Sequence, residues 1–248
     1  MKDTNDYRNS HTADGYGKSY DALFKDNPYR KYIWDLEKKT LDNIIQEYYN
    51  NKVANYLDFA CGTGRIVGHL EQYADKPNGV DISAAMLEVA KKNVKLAKLT
   101  KADLTTNNVF EGQKFDLITS FRFFLNAQNE LRYQVMEQLS KLLTDDGYLI
   151  FNIHNNTTGL TNQISKLYTT VKYRKVIERK EMSISEVKKI LDKNGLKIEK
   201  MYNYATYPIF HEEKPFNQGL VSTVDRLNEK VLGINALSTY IIYLCKKK

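Results

Sequence analysis

The sequence predicts an α/β fold built on a seven-stranded parallel sheet with helices on both of its faces. Short apolar strands alternate along the chain with segments whose apolar residues recur at helical spacing, which is the pattern of β-α-β crossovers. The chain has 248 residues, of which 42% are apolar, enough to fill one such core with insertions. Its 12 glycines and 4 prolines are too few for a low-complexity or collagen-like chain.

Local signals place the elements in order. Ser83 is expected to cap the helix that follows it, and Ser183 with Glu186 forms a capping box. Gly147 is expected to supply a left-handed residue after one helix, and Gly195 to end another. Helices are predicted within 29–49 and over 65–73, 83–90, 127–143, 183–191 and 224–232, and strands over 53–60, 78–82, 97–102, 115–121, 148–154, 196–203 and 239–245.

The alternation of strands and helices breaks twice, although no repeat or Pro-, Gly- or Ser-rich linker divides the chain. Residues 155–182 are polar and basic with scattered tyrosines, and a second irregular stretch occupies about 204–222. We therefore expect a helical segment over 1–50, an α/β core over 51–154, an inserted cap over 155–182, and the rest of the core over 183–248 with the second insertion inside it.

The charge balance and the two cysteines narrow the classes of protein to which the chain could belong. The 37 Lys and Arg against 30 Asp and Glu give a net charge of +7, which indicates either a solvated surface or attraction to an anionic partner, a phosphorylated small molecule or RNA. Cys61 and Cys245 give no disulfide framework and no metal-ligand spacing, so no metal site is predicted. Without an apolar run near the ~18 residues of a membrane helix, or a signal peptide in 1–14, we expect a soluble, cytoplasmic protein.

The sharpest local signal is the glycine turn at 57–65, between a predicted strand and a predicted helix. Gly62 and Gly64 permit backbone conformations that other residues avoid, and they let a ligand approach the main chain. The helix that follows points free N–H groups at the turn. Asp81, at the end of the next strand, lies where an acid accepts hydrogen bonds from ribose hydroxyls. The order of these parts predicts a nucleoside-binding half-sheet.

Such a site could bind either of two nucleoside cofactors, a dinucleotide or S-adenosylmethionine. The dinucleotide fingerprint Gly-x-Gly-x-x-Gly would need glycine at Val67 or at Arg65, depending on the frame, and both frames fail. Asp58, which precedes the turn, would repel a pyrophosphate but could bind an ammonium group. S-adenosylmethionine has an ammonium and no phosphate, so it is favoured over a dinucleotide. A purely structural turn would need the strand, the glycines and the acid to coincide.

Three segments of the sequence resemble the motifs of a known protein family. The segment Asp58-Phe-Ala-Cys-Gly-Thr-Gly64 resembles the first motif of class I S-adenosylmethionine-dependent methyltransferases, with Ala60 where the first glycine often stands. Residues 79–83, followed by Met86, resemble the second motif, and 101–104 the third. The similarity runs from about residue 20 to residue 153 and returns for the last two strands. It implies a seven-stranded, mostly parallel sheet whose last strand is antiparallel, with inserted cap segments.

The resemblance also implies the cofactor and its contacts. The cofactor would be S-adenosyl-L-methionine and the product S-adenosyl-L-homocysteine, with Asp81 holding the ribose and Asp103 contacting the adenine amino group. Tyr16 and Tyr20 belong to an N-terminal segment that is similar to the family's cofactor-covering entry. The residues expected to bind the cofactor are Tyr16, Tyr20, Asp58, Ala60, Cys61, Gly62, Thr63, Gly64, Asp81, Ile82, Met86, Asp103, Leu104, Ser120 and Phe121.

The acceptor is expected beyond the carboxyl ends of the strands, where open α/β sheets bind ligands. This rule nominates the residues just after the fourth strand, 121–126, and His154 after the fifth. His154 is the candidate general base, since an ordinary histidine pKa suits work near neutral pH; its alternative is to close the strand end by hydrogen bonding. Arg122 could bind an anionic group of the acceptor or pair with a buried acid. His211 is a weaker candidate.

The leading hypothesis is therefore methylation of oxygen or nitrogen in a small polar metabolite, phosphorylated or of sugar type, beneath a cap of the two insertions. No Asn-Pro-Pro-Tyr or Asp-Pro-Pro-Tyr follows the fourth strand, which disfavours methylation of base exocyclic amines. One alternative is an RNA methyltransferase, although no RNA-binding appendage is recognisable; its basic stripe would be Lys172, Arg174, Lys175, Arg179 and Lys180. The other alternative is a non-catalytic cofactor-binding regulatory protein. The sequence predicts no oligomeric state.

Overall fold

The chain is an α/β protein in its computed structural model, which describes residues 6–9, 13, 15–159, 162–163, 166–167, 170–171, 180–204 and 238–248. The strands are β1 (Val53–Phe59), β2 (Ala74–Asp81), β3 (Lys98–Lys101), β4 (Phe115–Ser120), β5 (Leu143–Ile153), β6 (Leu196–Tyr204) and β7 (Tyr240–Lys247). The helices are α1 (Tyr16–Asp26), α2 (Pro28–Tyr49), α3 (Arg65–Leu70), α4 (Ala84–Asn93), α5 (Asn129–Leu142) and α6 (Ile184–Lys193), with short 3-10 turns at Tyr7–Asn9 and Glu71–Tyr73.

The seven strands form one sheet in the order β3-β2-β1-β4-β5-β7-β6. All neighbouring pairs from β3 to β5 are parallel, whereas β7 runs antiparallel to both β5 and β6. The predicted sheet with an antiparallel last strand is therefore confirmed. Since the strand order reverses between β1 and β4, a crevice opens at their carboxyl ends, which is where open sheets bind ligands.

The sheet is buried on both faces, which explains why its strands read as continuous apolar runs. In β7, Ile241, Tyr243 and Cys245 pack with α5 and α6 on one face. Ile242 and Leu244 pack with α2, α3 and α4 on the other face. The two-residue period of the strand thus divides one apolar run between two separate cores.

The predicted helix caps are confirmed. The Ser83 hydroxyl accepts a hydrogen bond from the Met86 backbone N–H at 3.2 Å, which fixes the start of α4. At α6, the Ser183 hydroxyl accepts from the Glu186 N–H at 3.2 Å, and the Glu186 carboxylate accepts from the Ser183 N–H at 2.7 Å. Gly195 follows α6 with a φ of 69°, as expected of a residue that ends a helix.

The structure contradicts the prediction that Gly147 is a left-handed residue at the end of a helix. It does not lie after a helix in the left-handed region, because β5 begins at Leu143 directly after α5 and Gly147 lies inside that strand. A Cβ at this position would come within 2.8 Å of the Asp116 carbonyl oxygen. The glycine is therefore required by the close approach of the backbone at Asp116, rather than by a turn.

The helix α1 was not predicted as a separate element, because the helical pattern before the first strand was recognised only within 29–49 of the expected helical segment 1–50. It packs against α4 at Gly17, where a Cβ would lie 2.4 Å from the Ala85 carbonyl oxygen. Three sequence predictions lie wholly or mostly outside the described residues: the helix over 224–232, nearly all of the insertion at 204–222 with His211 in it, and the basic stripe, of which Lys172, Arg174, Lys175 and Arg179 are not described. Within the part of the chain that the structure describes, no helix is long and apolar enough to cross a membrane.

Candidate active site

Three residues of the turn between β1 and α3 have a left-handed backbone conformation. The sequence predicted an unusual backbone conformation at two of them, Gly62 and Gly64. The φ angles are 54° at Ala60, 56° at Gly62 and 81° at Gly64. At Gly62, a Cβ would lie 3.2 Å from the Met86 side chain. At Gly64 it would come within 2.8 Å of Val94, so that glycine serves the packing of α3 on α4. Ala60 holds a conformation that costs an L-residue on the order of 1 kcal/mol.

Asp81 fastens this turn to the end of β2. One oxygen of its carboxylate accepts a hydrogen bond from the Gly62 backbone N–H at 2.8 Å, and the other accepts from the Ser83 N–H at 2.8 Å. Burial raises the pKa of Asp81, and the backbone N–H groups of Ser83 and Gly62 partly oppose that rise. The acid predicted to hold the ribose therefore also organises the backbone around it.

Asp58 lies almost fully buried beneath the turn. Its carboxylate accepts a hydrogen bond from the Thr119 hydroxyl at 2.7 Å and another from the Val67 backbone N–H at 3.1 Å. Burial raises the pKa of Asp58 to about 7, while the hydrogen bonds from Thr119 and Val67 lower it. The carboxyl group therefore changes charge near neutral pH. Its predicted contact with an ammonium group stays a prediction.

Most of the residues predicted to bind the cofactor line a single cavity at the carboxyl ends of β1, β2 and β4. The cavity encloses roughly 1000 Å³ with its open mouth included, which is the size of a small-molecule site. Arg122 lies on its wall. The predicted cofactor residues that line it are Tyr20, Asp58, Ala60, Cys61, Gly62, Thr63, Asp81, Ile82, Met86, Asp103, Leu104 and Phe121.

Four predicted residues do not line this cavity. Tyr16 stacks on Tyr20, with ring centroids 6.2 Å apart, so it supports a lining residue. Gly64 packs against α4, as described above. Ser120 is fully buried in β4, and His154 follows the end of β5. Contacts of these residues with the cofactor or the acceptor stay predictions.

The N-terminal segment supplies two lining residues that sequence reasoning missed. Tyr7 packs edge-on against Phe123, with ring centroids 5.7 Å apart. Arg8 donates a hydrogen bond to the Asp103 carboxylate at 3.2 Å and pairs with Asp6 at 2.6 Å. No local signal could have found them, since residues 1–14 are polar and have no periodicity. Any ligand that contacts Asp103 therefore shares this carboxylate with Arg8.

Glu37 is a second feature that sequence reasoning missed. It lies on α2, is fully buried, and accepts hydrogen bonds from the Arg65 guanidinium and the Tyr240 hydroxyl. The Arg122 guanidinium lies 3.9 Å from the same carboxylate. Of the two roles considered for Arg122, the structure therefore contains the buried acid partner. The helical period of α2 predicts burial at this position, but not the cations it meets.

Arg122 is held in place by its backbone. Its φ is 63°, in the left-handed region, and its N–H donates to the Asn152 side-chain oxygen at 2.6 Å. Burial alone would lower the pKa of Arg122, but the nearby Glu37 charge and the surrounding tyrosines outweigh it and raise the pKa. Arg122 is therefore a permanent cation on the cavity wall.

His154 differs from the sequence expectation of an ordinary pKa. Burial, and then the positive charges of Arg122 and Arg30, lower its pKa to about 3. Its buried Nδ1 has no hydrogen-bond partner among the described residues. The imidazole is therefore neutral throughout the physiological range, and it is a weak base. Its role as general base stays a prediction.

The residues at the cavity fit S-adenosylmethionine. An acid ends β2 and another follows β3, and the apolar Ile82, Met86 and Leu104 line the same cavity, which suits a ribose and an adenine. The bare Cα of Gly62 leaves a ligand room against the backbone. Among the described residues, no group of His, Cys, Asp and Glu side chains could hold a metal ion.

Comparison with known proteins shows the family to which the chain belongs. A family model described as a methyltransferase domain matches residues 50–205. A protein of Geobacillus sp. (strain WCH70), provisionally named a methyltransferase, is 29% identical over 149 residues, which are 58% of this chain and 58% of that protein. The match thus spans a little over half the length of this curated relative.

Two solved structures share the fold. Magnesium protoporphyrin IX methyltransferase from Synechocystis PCC 6803, with bound S-adenosylhomocysteine, superposes with a TM-score of 0.64 at 17% identity, over 93% of this chain and 94% of that one. An S-adenosylmethionine-dependent methyltransferase from Clostridium acetobutylicum ATCC 824 gives 0.56 at 18% identity, over 94% and 98%. With the sheet order, the glycine turn and the family match together, the chain belongs to the class I S-adenosylmethionine-dependent methyltransferases.

Proposed function

We propose that this chain transfers a methyl group from S-adenosylmethionine to an oxygen or nitrogen atom of a small polar metabolite, phosphorylated or of sugar type. One observation carries the proposal: the cavity that joins the cofactor residues also has a cation, Arg122, on its wall. A small acceptor with an anionic or strongly polar group would find a fixed partner there. A cytoplasmic location would suit such an acceptor.

The cofactor, when bound, supplies a methyl group on a positively charged sulfur. The chain's own residues would hold the acceptor in line and exclude water, which accounts for much of the acceleration in a displacement of this kind. Tyr7, Arg8 and Tyr20 place the N-terminal segment on the wall of the cavity. We infer that the insertions over 155–182 and 204–222 cover the acceptor from the other side.

His154 is proposed as the group that accepts a proton from the acceptor. The imidazole is already neutral at physiological pH, so it is in the protonation state that this role requires. Burial, and then the charges of Arg122 and Arg30, lower the pKa of His154 and so make it a weak base. An amine acceptor, which needs less help in losing its proton, is therefore served more readily than an unactivated hydroxyl.

The experiment is an acceptor screen with methyl-labelled S-adenosylmethionine. Sugar phosphates, nucleotide-linked sugars, uncharged sugars, small amines and total RNA would be tested as separate pools. Label in a small-molecule pool, absent with Asp81→Ala, supports the proposal. Label only in RNA, at moderate salt, would support the RNA methyltransferase instead. Cofactor binding without turnover on any pool would support a regulatory protein.

A further inference from the structure

Arg122 departs from the backbone conformation of the strand that it follows. Its φ is 63°, in the left-handed region that a residue with a long side chain seldom occupies. In an extended strand, successive side chains point to opposite faces of the sheet. Here Phe121, Arg122 and Phe123 all line the cofactor cavity. The left-handed residue therefore ends the alternation of β4 and brings three successive residues to one site.

Two side chains hold the backbone of Arg122 in this conformation. The register of β4 on β5 pairs Ser120 with Phe151, so the chain has left the ladder of paired strands at Arg122. The Arg122 N–H donates instead to the Asn152 side-chain oxygen at 2.6 Å. The Arg122 carbonyl oxygen accepts from the Asn126 side-chain amide at 2.6 Å. An unfavourable backbone conformation persists where its surroundings over-determine it, and these two contacts have that effect here.

A chain of buried hydrogen bonds sets the direction in which the Asn152 amide faces. Glu37 on α2 accepts from the Tyr240 hydroxyl, and a carboxylate can only accept. Burial, and then the charge of Glu37, raise the pKa of Tyr240, so this hydroxyl keeps its proton. Because that proton is directed at Glu37, the Tyr240 oxygen accepts from the Asn152 side-chain nitrogen at 2.7 Å. The Asn152 oxygen must then face the Arg122 N–H, since a flipped amide would oppose two donors there.

The three members of this chain are buried and do not line the cavity. Asn152 and Glu37 have no exposed surface, and Tyr240 has almost none. A buried amide within an apolar strand is unfavourable unless its hydrogen bonds are made, whereas an apolar residue of similar shape would fill the same space without that requirement. The hydrogen bonds of Asn152 lead from the interior to the backbone of Arg122, which lies on the cavity wall. The chain is thus connected to the site through that one residue.

We propose that Asn152 is a positioning residue for the methyl transfer: it holds the left-handed turn at Arg122 and so fixes the part of the cavity wall that follows β4. The inference rests on the proposed function and adds to it a residue that does not line the cavity. Tyr240 and Glu37 act behind Asn152 by fixing the direction of its amide. When an apolar residue replaces Asn152, the Arg122 N–H loses this acceptor and the turn relaxes toward extended backbone. The rings of Phe121 and Phe123 then leave the positions that shape the site.

The test measures the affinity for S-adenosylhomocysteine by calorimetry, and the backbone amide of Arg122 by NMR. Asn152→Leu keeps a similar side-chain volume and removes both hydrogen bonds of the amide. We expect it to lower the affinity about tenfold or more, because small displacements of site residues have large effects. The Arg122 amide signal should move upfield and exchange faster, as its short hydrogen bond is lost. Tyr240→Phe, which leaves the Asn152 amide free to turn over, should give smaller changes in the same direction.

Two comparisons separate positioning from a general loss of stability. Ser140→Ala removes the hydrogen bond from the Ser140 hydroxyl to the Asn194 carbonyl at 2.8 Å, between two residues that do not line the cavity. It is the matched control and should leave the affinity unchanged. Arg122→Gly supplies a residue that adopts a positive φ without strain. In that background, Asn152→Leu should lower the affinity less than about threefold, because the turn no longer depends on the clamp.

The role of Asn152 is overturned if Asn152→Leu and Tyr240→Phe, both folded by circular dichroism, bind S-adenosylhomocysteine as Ser140→Ala does. It is equally overturned if Asn152→Leu has the same effect in the wild-type and Arg122→Gly backgrounds, because Asn152 would then act on stability alone. Should Asn152→Leu fail to fold, Tyr240→Phe carries the same readouts. Failure of the proposed function would appear separately, as wild-type protein that binds no S-adenosylhomocysteine, and the Arg122 amide signal would still show whether Asn152 holds the turn.

Discussion

The carboxylate of Asp81 accepts a hydrogen bond from the backbone N–H of Gly62 at 2.8 Å. This contact ties the end of β2 to the glycine turn after β1, so one acid both shapes the turn and lies on the cavity wall. The position of the glycine turn therefore depends on this carboxylate. A change at Asp81 should affect the backbone that approaches the ligand as well as the direct contact with it.

Loss of the buried charge of Glu37 should lower the free energy of unfolding strongly. Glu37→Gln keeps the shape of the side chain but leaves Arg65 and Arg122 without their shared charge. We expect the free energy of unfolding to fall by roughly 3 kcal/mol, because uncompensated buried cations are strongly destabilising. Urea unfolding followed by circular dichroism measures the change.

The control for this substitution is Glu47→Gln. Glu47 pairs with Lys200 at 3.0 Å, and both side chains are well exposed. Loss of this exposed ion pair should lower the free energy of unfolding by less than about 1 kcal/mol. Equal, small losses at the two glutamates would show that Glu37 does not compensate the arginines.

Ala60 should tolerate glycine better than other alanines do. Its φ of 54° is strained for alanine and easy for glycine. Ala60→Gly should therefore leave the melting temperature unchanged or raise it, because relief of about 1 kcal/mol of strain offsets the greater freedom of the unfolded chain. The exposed Ala22→Gly within α1 is the comparison, and should cost about 1 kcal/mol. A larger fall in melting temperature for Ala60→Gly than for Ala22→Gly would show that the backbone at Ala60 is not strained.

Asp58 should make stability depend on pH. Burial raises its pKa from 3.8 to about 7, so between these values the folded state binds more protons than the unfolded state. Its contribution is fully present below about pH 4 and is lost as the pH rises through 7, by up to about 4 kcal/mol. Unfolding of wild type and Asp58→Asn from pH 4 to 8 should show the variant gaining relative to wild type as the pH rises. A constant difference would mean that Asp58 stays ionised.

His154 should remain neutral to unusually low pH in the ligand-free protein. Burial and the charges of Arg122 and Arg30 lower its pKa to about 3. Ring nitrogen shifts, assigned with His154→Gln, should therefore show no titration between pH 8 and 5. Arg122→Gln should raise the pKa by removing one of the cations. A midpoint near 6.5 in wild type would contradict this environment.

Much of the fold could be predicted because its signals are local. The capping box of Ser183 and Glu186 involves residues three positions apart, and it marks α6 without reference to the rest of the chain. The glycine turn and Asp81 likewise belong to consecutive elements. Gly147 shows the limit: glycine after a helix suggested a helix end, whereas the actual constraint is backbone contact with Asp116 on the neighbouring strand.

The parts of the site that escaped prediction depend on contacts between distant segments. Tyr240 reaches Glu37 across 203 positions of the chain, and Arg8 reaches Asp103 across 95. Neither pair leaves a pattern in the sequence, because each partner alone reads as an ordinary helix, strand or surface residue. The lowered pKa of His154 could not be predicted for the same reason, since its burial and the nearby charges of Arg122 and Arg30 arise only in the fold.

We expect S-adenosylmethionine to bind at the glycine turn and Asp81. The most direct measurement is calorimetric titration of S-adenosylhomocysteine into the wild-type protein and into Asp81→Ala, with the fold of each checked by circular dichroism. We expect saturable one-to-one binding to wild type, weakened at least about tenfold in the variant because ribose hydrogen bonds to a charged acceptor are lost. A folded wild-type protein that gives no binding heat, or equal affinity in the two proteins, would contradict it.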